Sequence, residues 1–240
     1  MSTFFPKRAL SNSLSSGLIH QRAREVIRPT GGILRGKFPS RKTGRMVHFE
    51  GLLERDAIYL FETSPLIESY SEQPITIHFP DGGRIRRYTP DFVLDLKNGD
   101  QIFVEVKPKR SLEQPDICHK LEQIENYFHR HGQKFLVLTD ADIRQQPRLN
   151  NLKWLYQQTP RSIPSFVKIR ISVNRLIQHF PMSLQLASTL MANIECNPFS
   201  LLLDGWLHCD LAEILNYDSE LYLSMENDHD WFYIAPRFGF

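Results

Sequence analysis

Two strand-like segments joined by Asn98-Gly99 constrain the fold of this chain more than any other feature. Residues 91–96 read Asp-Phe-Val-Leu-Asp-Leu, and residues 101–107 read Gln-Ile-Phe-Val-Glu-Val-Lys. An Asn-Gly pair favours a two-residue β-hairpin turn, because both residues of that turn need a positive φ. Pro108 closes the second segment, since proline donates no hydrogen bond to a sheet. The pattern therefore predicts a hairpin near the middle of the 240-residue chain.

The predicted hairpin carries a set of charged residues at its end. Residues two apart on a strand share a face, so Glu105 and Lys107 point the same way while Val106 points into the core. The hairpin is able to bring the carboxylate of Asp91, which follows Pro90, next to that of Glu105. Two carboxylates and a backbone carbonyl form a hard oxygen site suited to Mg²⁺. The ammonium of Lys107 would then position water or stabilise phosphorane charge.

The spacing of these residues leaves two alternatives open. An acid from the preceding helix would finish a metal site, and Glu50 and Glu54 are the candidates. The other interpretation is a solvated strand face on which Glu105 and Lys107 form a simple ion pair. From spacing alone the two interpretations carry about equal weight.

Helix and strand patterns surround the hairpin and predict one α/β domain over residues 46–162 with a mixed sheet. Apolar residues at helical spacing predict a helix over residues 49–61, and Pro65 ends it. Strands joined by a glycine turn are predicted over residues 75–79 and 84–88. Bulky, non-alternating residues 135–139 predict a central buried strand. Helices are predicted on either side of that strand, over residues 115–131 and 149–157.

Two prolines within residues 160–166 predict a domain boundary. The segment that follows, 163–240, has short helical patterns and a closing apolar hairpin, which we interpret as a small, mainly helical, winged-helix-like domain. Its predicted helical or apolar segments are residues 167–179, 181–192, 201–203, 211–215 and 221–223. At the other end, residues 1–45 are rich in Ser, Gly, Arg and Pro and are predicted to form a basic, extended or partly helical arm.

The net charge of +2 hides an uneven distribution along the chain. Residues 1–50 contain 10 Lys and Arg against 2 acidic residues, whereas residues 171–240 contain 2 against 9. A basic arm is expected to meet a polyanion such as DNA, and an acidic end is expected to repel one. Three cysteines exclude a disulfide framework and favour a reducing cytoplasm. No apolar run approaches the ~18 residues of a membrane span, and no secretory signal pattern is seen.

Several local motifs resemble the TnsA endonucleases, which cut the 5′ strand within heteromeric cut-and-paste transposases. The resemblance covers residues 38–157 well and the C-terminal segment less closely. It rests on motifs that occur in the same order: Arg41-Lys42-Thr43-Gly44-Arg45, Glu54 in the first helix, Glu72-Gln73-Pro74, Thr89-Pro90-Asp91-Phe92, Glu105-Val106-Lys107-Pro108, residues 135–140 and residues 151–156. Some members of the family carry Gln at the position of Glu105.

The resemblance implies a fold, a reaction and a set of partners. The fold would be the restriction-endonuclease-like PD-(D/E)xK core. Asp91, Glu105, the Val106 carbonyl and Glu54, directly or through water, would bind Mg²⁺, with Mn²⁺ as a substitute. Lys107 would orient the water that cuts the non-transferred strand at transposon-end double-stranded DNA. A TnsB-like DDE transposase would cut the other strand, and a TnsC-like AAA+ regulator would meet the acidic C-terminal domain. The protein would be cytoplasmic and bacterial, and nucleoid-associated when active.

The predicted DNA contacts are mostly basic residues close to the first helix. They comprise Arg35, Lys37, Arg41, Lys42, Arg45, Gln73 and Lys109. No glycine-rich phosphate loop is present, so no nucleotide cofactor is expected. Two other functions stay open: a stand-alone nuclease of restriction or repair, and an inactive DNA-binding or scaffold module. The acidic second domain argues against the first, and the joint presence of all four catalytic residues argues against the second.

Overall fold

A computed structural model of the protein describes residue 23 and residues 34–160, 165–192, 196–224 and 232–240. The strands are β1 Arg35–Pro39, β2 Met46–Glu50, β3 Ile67–Glu72, β4 Ile77–Asp81, β5 Arg84–Tyr88, β6 Phe92–Leu96, β7 Gln101–Lys107, β8 Lys134–Thr139, β9 Met182–Ser183, β10 Leu207–His208 and β11 Glu220–Leu223. The helices are α1 Leu52–Thr63, α2 Pro115–Arg130, α3 Asp140–Ile143, α4 Arg148–Gln158, α5 Phe166–Leu176, α6 Leu184–Met191 and α7 Pro198–Leu203.

The predicted hairpin is confirmed as the centre of a four-stranded mixed sheet with the order β3-β6-β7-β8. Strands β6 and β7 are antiparallel, with Phe92 opposite Val104. The predicted two-residue form of the turn between them is wrong, because Gly99 has a positive φ of 89° whereas Asn98 does not, and the Leu96 N–H donates to the Asp100 carbonyl across a three-residue loop. Strand β8 runs parallel to β7, and helix α2 makes the crossover between the two. This arrangement brings the start of β6 and the end of β7 together at the same end of the two central strands.

The prediction of a central position for residues 135–139 is wrong, because β8 is an edge strand. Its bulky residues are buried by layers above and below the sheet. Phe135 packs in the core beneath α2, whereas Leu136 and Leu138 belong to the core on the opposite face. A continuous apolar strand therefore reflects burial on both faces, which an edge strand also has when helices cover it.

The first helix begins three residues later than predicted, at Leu52. Phe49 lies in β2 instead, and Gly51 between the two elements has a φ of 101°, which favours glycine. Strand β2 pairs with β1, and Phe38 of β1 is buried in the core. The predicted extended arm is therefore wrong for residues 35–45, while residues 1–22 and 24–33 lie outside the described residues.

The C-terminal segment contains helices α5, α6 and α7 and a small sheet with the order β10-β11-β9. Residues 211–215, one of the predicted apolar segments, lie in an irregular stretch without a helix. The segment packs on α4, where Asn151 donates to the carbonyls of Leu211 and Glu213 and accepts from the Leu215 N–H at 3.0 Å. The winged-helix-like interpretation and the domain boundaries remain predictions. None of the helices in the described ranges is long and apolar enough to cross a membrane.

Candidate active site

An open cleft of about 800 Å³ lies at the end of the sheet where the central strand β6 begins and its neighbour β7 ends. The loop before α1, the end of β5 and helix α2 supply its other walls. Its lining residues are Glu50, Gly51, Leu52, Leu53, Glu54, Arg87, Tyr88, Thr89, Asp91, Glu105, Val106, Lys107, Pro108 and Lys120. The structure thus brings together all four residues that the sequence predicted to be catalytic.

The position of Asp91 follows from the register of the two central strands. Phe92 faces Val104, so one further step places Asp91 opposite Glu105 and Pro90 opposite Val106. Pro90 has no N–H and ends the backbone ladder. The Val106 N–H donates instead to Asp91 Oδ2 at 2.8 Å. Because the N–H and C=O of a strand residue face the same neighbour, the Val106 carbonyl also faces Asp91.

Glu105 is the most enclosed acid of the cleft, with 3% of its surface exposed. The hydroxyl of Tyr88 donates to its Oε2 at 2.5 Å, and the ammonium of Lys107 lies 2.6 Å from its Oε1. The sequence prediction that Glu105 and Lys107 share a face is confirmed. The alternative of a solvated strand face is wrong, because the Glu105 side chain is buried.

Glu54 reaches the cleft from the first turn of α1. Its Oε2 accepts from the Glu50 N–H at 2.7 Å, which holds the side chain back toward the start of the helix. Glu50 also lines the cleft, and its Oε1 lies 3.7 Å from Arg35 Nε. The role of Glu54 as a metal ligand stays a prediction.

The acids of the cleft carry more negative charge than their surroundings compensate. Burial, then Glu105 and Glu54, raise the pKa of Asp91 well above its usual range. Burial, then the nearby Glu50 and Glu105 carboxylates, raise the pKa of Glu54 to about 7. Burial acts to lower the pKa of Lys107, yet Glu105 and Asp91 outweigh it and raise that pKa. Like charges placed directly opposite each other in a sheet are destabilising, so this cluster favours a cation.

The oxygen donors of the cleft suit a partly hydrated magnesium ion better than an ion whose ligands all come from the protein. Among the described residues, no group of three or more Asp, Glu, His or Cys side chains is arranged to hold an ion. Magnesium typically uses one or two carboxylates and keeps several waters. Asp91, Glu105 and the Val106 carbonyl are hard oxygen donors of that kind, and the uncompensated charge described above is what such an ion would neutralise.

Comparison with known families agrees with this geometry. Residues 64–140 match the family model of the TnsA-like endonuclease N-terminal domain. These 77 residues of the 240-residue chain are similar to that domain. The match includes Asp91, Glu105 and Lys107, and it suggests a nuclease of Tn7-like transposition. No curated protein matches the chain.

Two of the predicted DNA contacts bind groups within the protein itself. Lys42 Nζ donates to the carbonyls of Ser64 and Ile67, the latter at 2.6 Å. Both terminal nitrogens of Arg45 bind the buried Glu72, at 2.9 and 2.6 Å. These two cations bind partners within the fold, and their contact with DNA remains a prediction.

The other predicted contacts occupy varied surroundings. Lys37 and Lys109 are exposed, Arg35 lies near Glu50, and among described residues the buried guanidinium nitrogens of Arg41 have no hydrogen-bond partner. Gln73 has a φ of 46°, and its N–H donates to the Asp91 carbonyl at 2.8 Å. Gln73 therefore fixes the backbone of a cleft acid. Contact of these residues with DNA remains a prediction.

Sequence reasoning missed three residues of the cleft: Tyr88, Arg87 and Lys120. Tyr88 anchors Glu105, and Lys120 Nζ lies 5.4 Å from the centroid of the Tyr88 ring. A signal for two of the three was present, since Arg84-Ile85-Arg86-Arg87-Tyr88 comes directly before the Pro90-Asp91 motif. Lys120 lies on the distant helix α2 and carries no such signal.

Proposed function

We propose that the protein is a metal-dependent DNA endonuclease that cleaves the 5′, non-transferred strand at transposon ends. The observation that carries the proposal is the pair of carboxylates, the half-buried Asp91 and the buried Glu105, opposite each other and beside the Lys107 ammonium in an open cleft. Carboxylates on adjacent strands with a lysine two residues after the second support a PD-(D/E)xK nuclease core. The TnsA-like match supports the link to transposition.

Each side chain of the cleft has a task that follows from its contacts. The Val106 N–H fixes one oxygen of Asp91, and Tyr88 and Lys107 fix both oxygens of Glu105. These bonds hold the carboxylates in place before DNA arrives, as preorganised catalysis requires. The Lys107 ammonium stays charged beside the carboxylates, so it orients the attacking water and stabilises negative charge on the phosphate.

Asp91, Glu105 and the Val106 carbonyl would hold Mg²⁺ or Mn²⁺, with Glu54 bound directly or through water. When bound, the metal supplies Lewis-acid stabilisation of the phosphate and of the leaving 3′ oxygen. No nucleotide is needed for this reaction.

The partners follow from the proposed role in transposition. A TnsB-like transposase would cut and join the other strand, and a TnsC-like AAA+ regulator would bind the acidic C-terminal segment. Residues 171–240 carry 9 acidic and 2 basic residues, which supports a protein partner there rather than DNA. The reaction would take place on the bacterial nucleoid, in the cytoplasm.

Cleavage of transposon-end DNA labelled on one strand at a time tests the proposal. We expect Mg²⁺-dependent nicking of the 5′ strand, which a TnsB-like partner stimulates and EDTA abolishes. Asp91→Asn and Glu105→Gln should each lower the rate about 10³-fold or more. Asp95→Asn is the matched control, because Asp95 lies on the same strand but bonds Ser69 and Gln101 away from the cleft.

A readout independent of activity accompanies the assay. Mg²⁺ should raise the melting temperature of the wild-type protein and of Asp95→Asn but not of Asp91→Asn. Full cleavage by Asp91→Asn, or cleavage that persists in EDTA, would contradict the catalytic assignment. Cutting of the 3′ strand would contradict the strand assignment and leave the nuclease assignment intact.

A further inference from the structure

The β4–β5 hairpin stands beside the cleft and has two chemically different faces. Residues directly opposite in its register share a face, and the pairs Ile77–Tyr88 and Phe79–Arg86 alternate with His78–Arg87 and Pro80–Ile85. Ile77, Phe79 and Tyr88 are buried beneath α2. The other face consists of His78, Pro80, Ile85 and Arg87, all of which are exposed.

The hairpin is held firmly at both ends. Near its tip, Asp81 binds Arg86 at 2.5 Å and His119 of α2 at 2.9 Å. At its base, Tyr88 donates to the cleft acid Glu105. The exposed face is therefore a fixed extension of the cleft wall, with Arg87 as the residue that both share.

The exposed face combines cationic and apolar side chains in a fixed order away from the cleft. Arg87 and His78 form the pair nearer the cleft, and Pro80 and Ile85 form an apolar pair nearer the tip. Ile85 is 71% exposed, the second largest exposed fraction among the exposed large apolar residues that the structure describes, after the 74% of Ile214. Arginine together with an apolar proline or isoleucine is the combination that proteins use to enter the minor groove of DNA.

We propose that this face binds the minor groove of the duplex that flanks the scissile phosphate. Arg87 contacts the phosphate backbone beside the cleft, and Pro80 and Ile85 pack against the groove. Two residues along a strand span about 7 Å, so Ile85 reaches about two base-pair steps beyond the phosphate that Arg87 contacts. The inference rests on the proposed nuclease function and adds the element that positions its substrate.

Binding of a short duplex by the full-length protein in the Asp91→Asn background tests the proposal without cleavage. Arg87→Ala should weaken binding about 10-fold and reduce the slope of log K against log salt by about 1. Ile85→Ser should weaken binding about 5-fold or more and leave that slope unchanged, because no charge is lost. Arg84→Ala is the matched control: it removes a cation from the same strand, but from the side that carries Asp81 and Arg86, and should leave both quantities unchanged.

Two further measurements separate the outcomes. A small minor-groove ligand should displace the Asp91→Asn protein from the duplex. The same ligand should have much less effect on duplex binding by the protein that also carries Ile85→Ser. Wild-type affinity in both Arg87→Ala and Ile85→Ser would overturn the proposal, as would an Arg84→Ala loss equal to that of Arg87→Ala. With the cleft acids intact, Ile85→Ser should raise the DNA concentration needed for half-maximal single-turnover cleavage about 5-fold, and Arg84→Ala should leave it unchanged. A protein that binds through the hairpin yet never cuts would instead overturn the proposed function.

Discussion

Two sets of carboxylates in this protein differ in how their charge is matched. Away from the cleft, Glu62 accepts from Ser40, Tyr70 and the backbone of residues 41 and 42, and Asp56 meets Lys153 at 2.7 Å and Arg144 at 2.9 Å. The cleft acids instead act on one another as like charges: the carboxylates of Glu105 and Glu54 both raise the pKa of Asp91. The nearby Lys107 ammonium, 2.6 Å from Glu105, offsets only part of this charge.

The direction of the pKa shifts expresses the same difference. Burial acts to raise the pKa of Glu72, but the Arg45 guanidinium and the His48 N–H hold it below its usual value. In the cleft the pKa of Asp91 is raised, because its neighbours add negative charge. Matched acids therefore stabilise the fold, whereas unmatched acids destabilise it and attract a cation. Four substitutions or titrations test this contrast.

The largest effect on stability is expected from Glu62→Ala. Loss of the carboxylate leaves several buried donors without an acceptor, which should lower the free energy of unfolding by about 3 to 4 kcal/mol. Urea unfolding in EDTA measures it. Glu68→Ala, at an exposed position of β3, should change stability by no more than about 0.5 kcal/mol. Equal losses in the two variants would contradict a structural role for Glu62.

Arg45→Ala should lower the free energy of unfolding by about 2 kcal/mol, since it leaves the buried Glu72 with an unpaired charge. Lys37→Ala removes an exposed cation from the neighbouring strand and should leave stability within about 0.5 kcal/mol. The same urea titrations compare both. If Arg45→Ala mainly reduced DNA affinity and left stability unchanged, its side chain would be a DNA contact after all.

The pH dependence of stability should reveal the unmatched acids. Glu54 has a folded pKa of about 7 against a usual 4.5, so the folded state binds the extra proton between these values. The stability that protonated Glu54 contributes is therefore fully present below about pH 4.5 and lost as the pH rises through 7. In EDTA we expect this loss to lower the free energy of unfolding by about 1.5 kcal/mol. The loss is this small because water in the open cleft screens part of the interaction. Glu54→Gln should flatten this slope, and an unchanged slope would contradict the shift.

The smallest effect has the opposite sign. Asp91→Asn retains an oxygen acceptor for the Val106 N–H while it removes a charge opposite Glu105. In EDTA at pH 8 it should raise the free energy of unfolding by about 1 kcal/mol, and the gain should shrink as the pH falls and the acid takes up a proton. Melting curves over a series of pH values measure it. A loss of stability at pH 8 would mean that the cleft acids are matched like those elsewhere.

The sequence predicted the parts of the site that depend on local rules. Asn98-Gly99 gave the turn, and strand alternation put Glu105 and Lys107 on one face. Pairs between distant residues were not predicted, because nothing near Arg45 indicates that its partner is Glu72, 27 residues later. Strand β3 was also missed, because an irregularity between Ile67 and Ser69 breaks the alternation that marks a strand.

The backbone hydrogen bonds between the two central strands end before Pro90. Up to Phe92 and Val104 the two central strands are joined backbone to backbone, and beyond that point the Asp91 side chain makes the next connection. The backbone ladder therefore ends where the cleft begins, and the same Asp91 carboxylate that lines the cleft replaces its next rung. An ordinary residue in place of Pro90 would supply an N–H at that step and allow the strands to close over the space that a phosphate is proposed to enter.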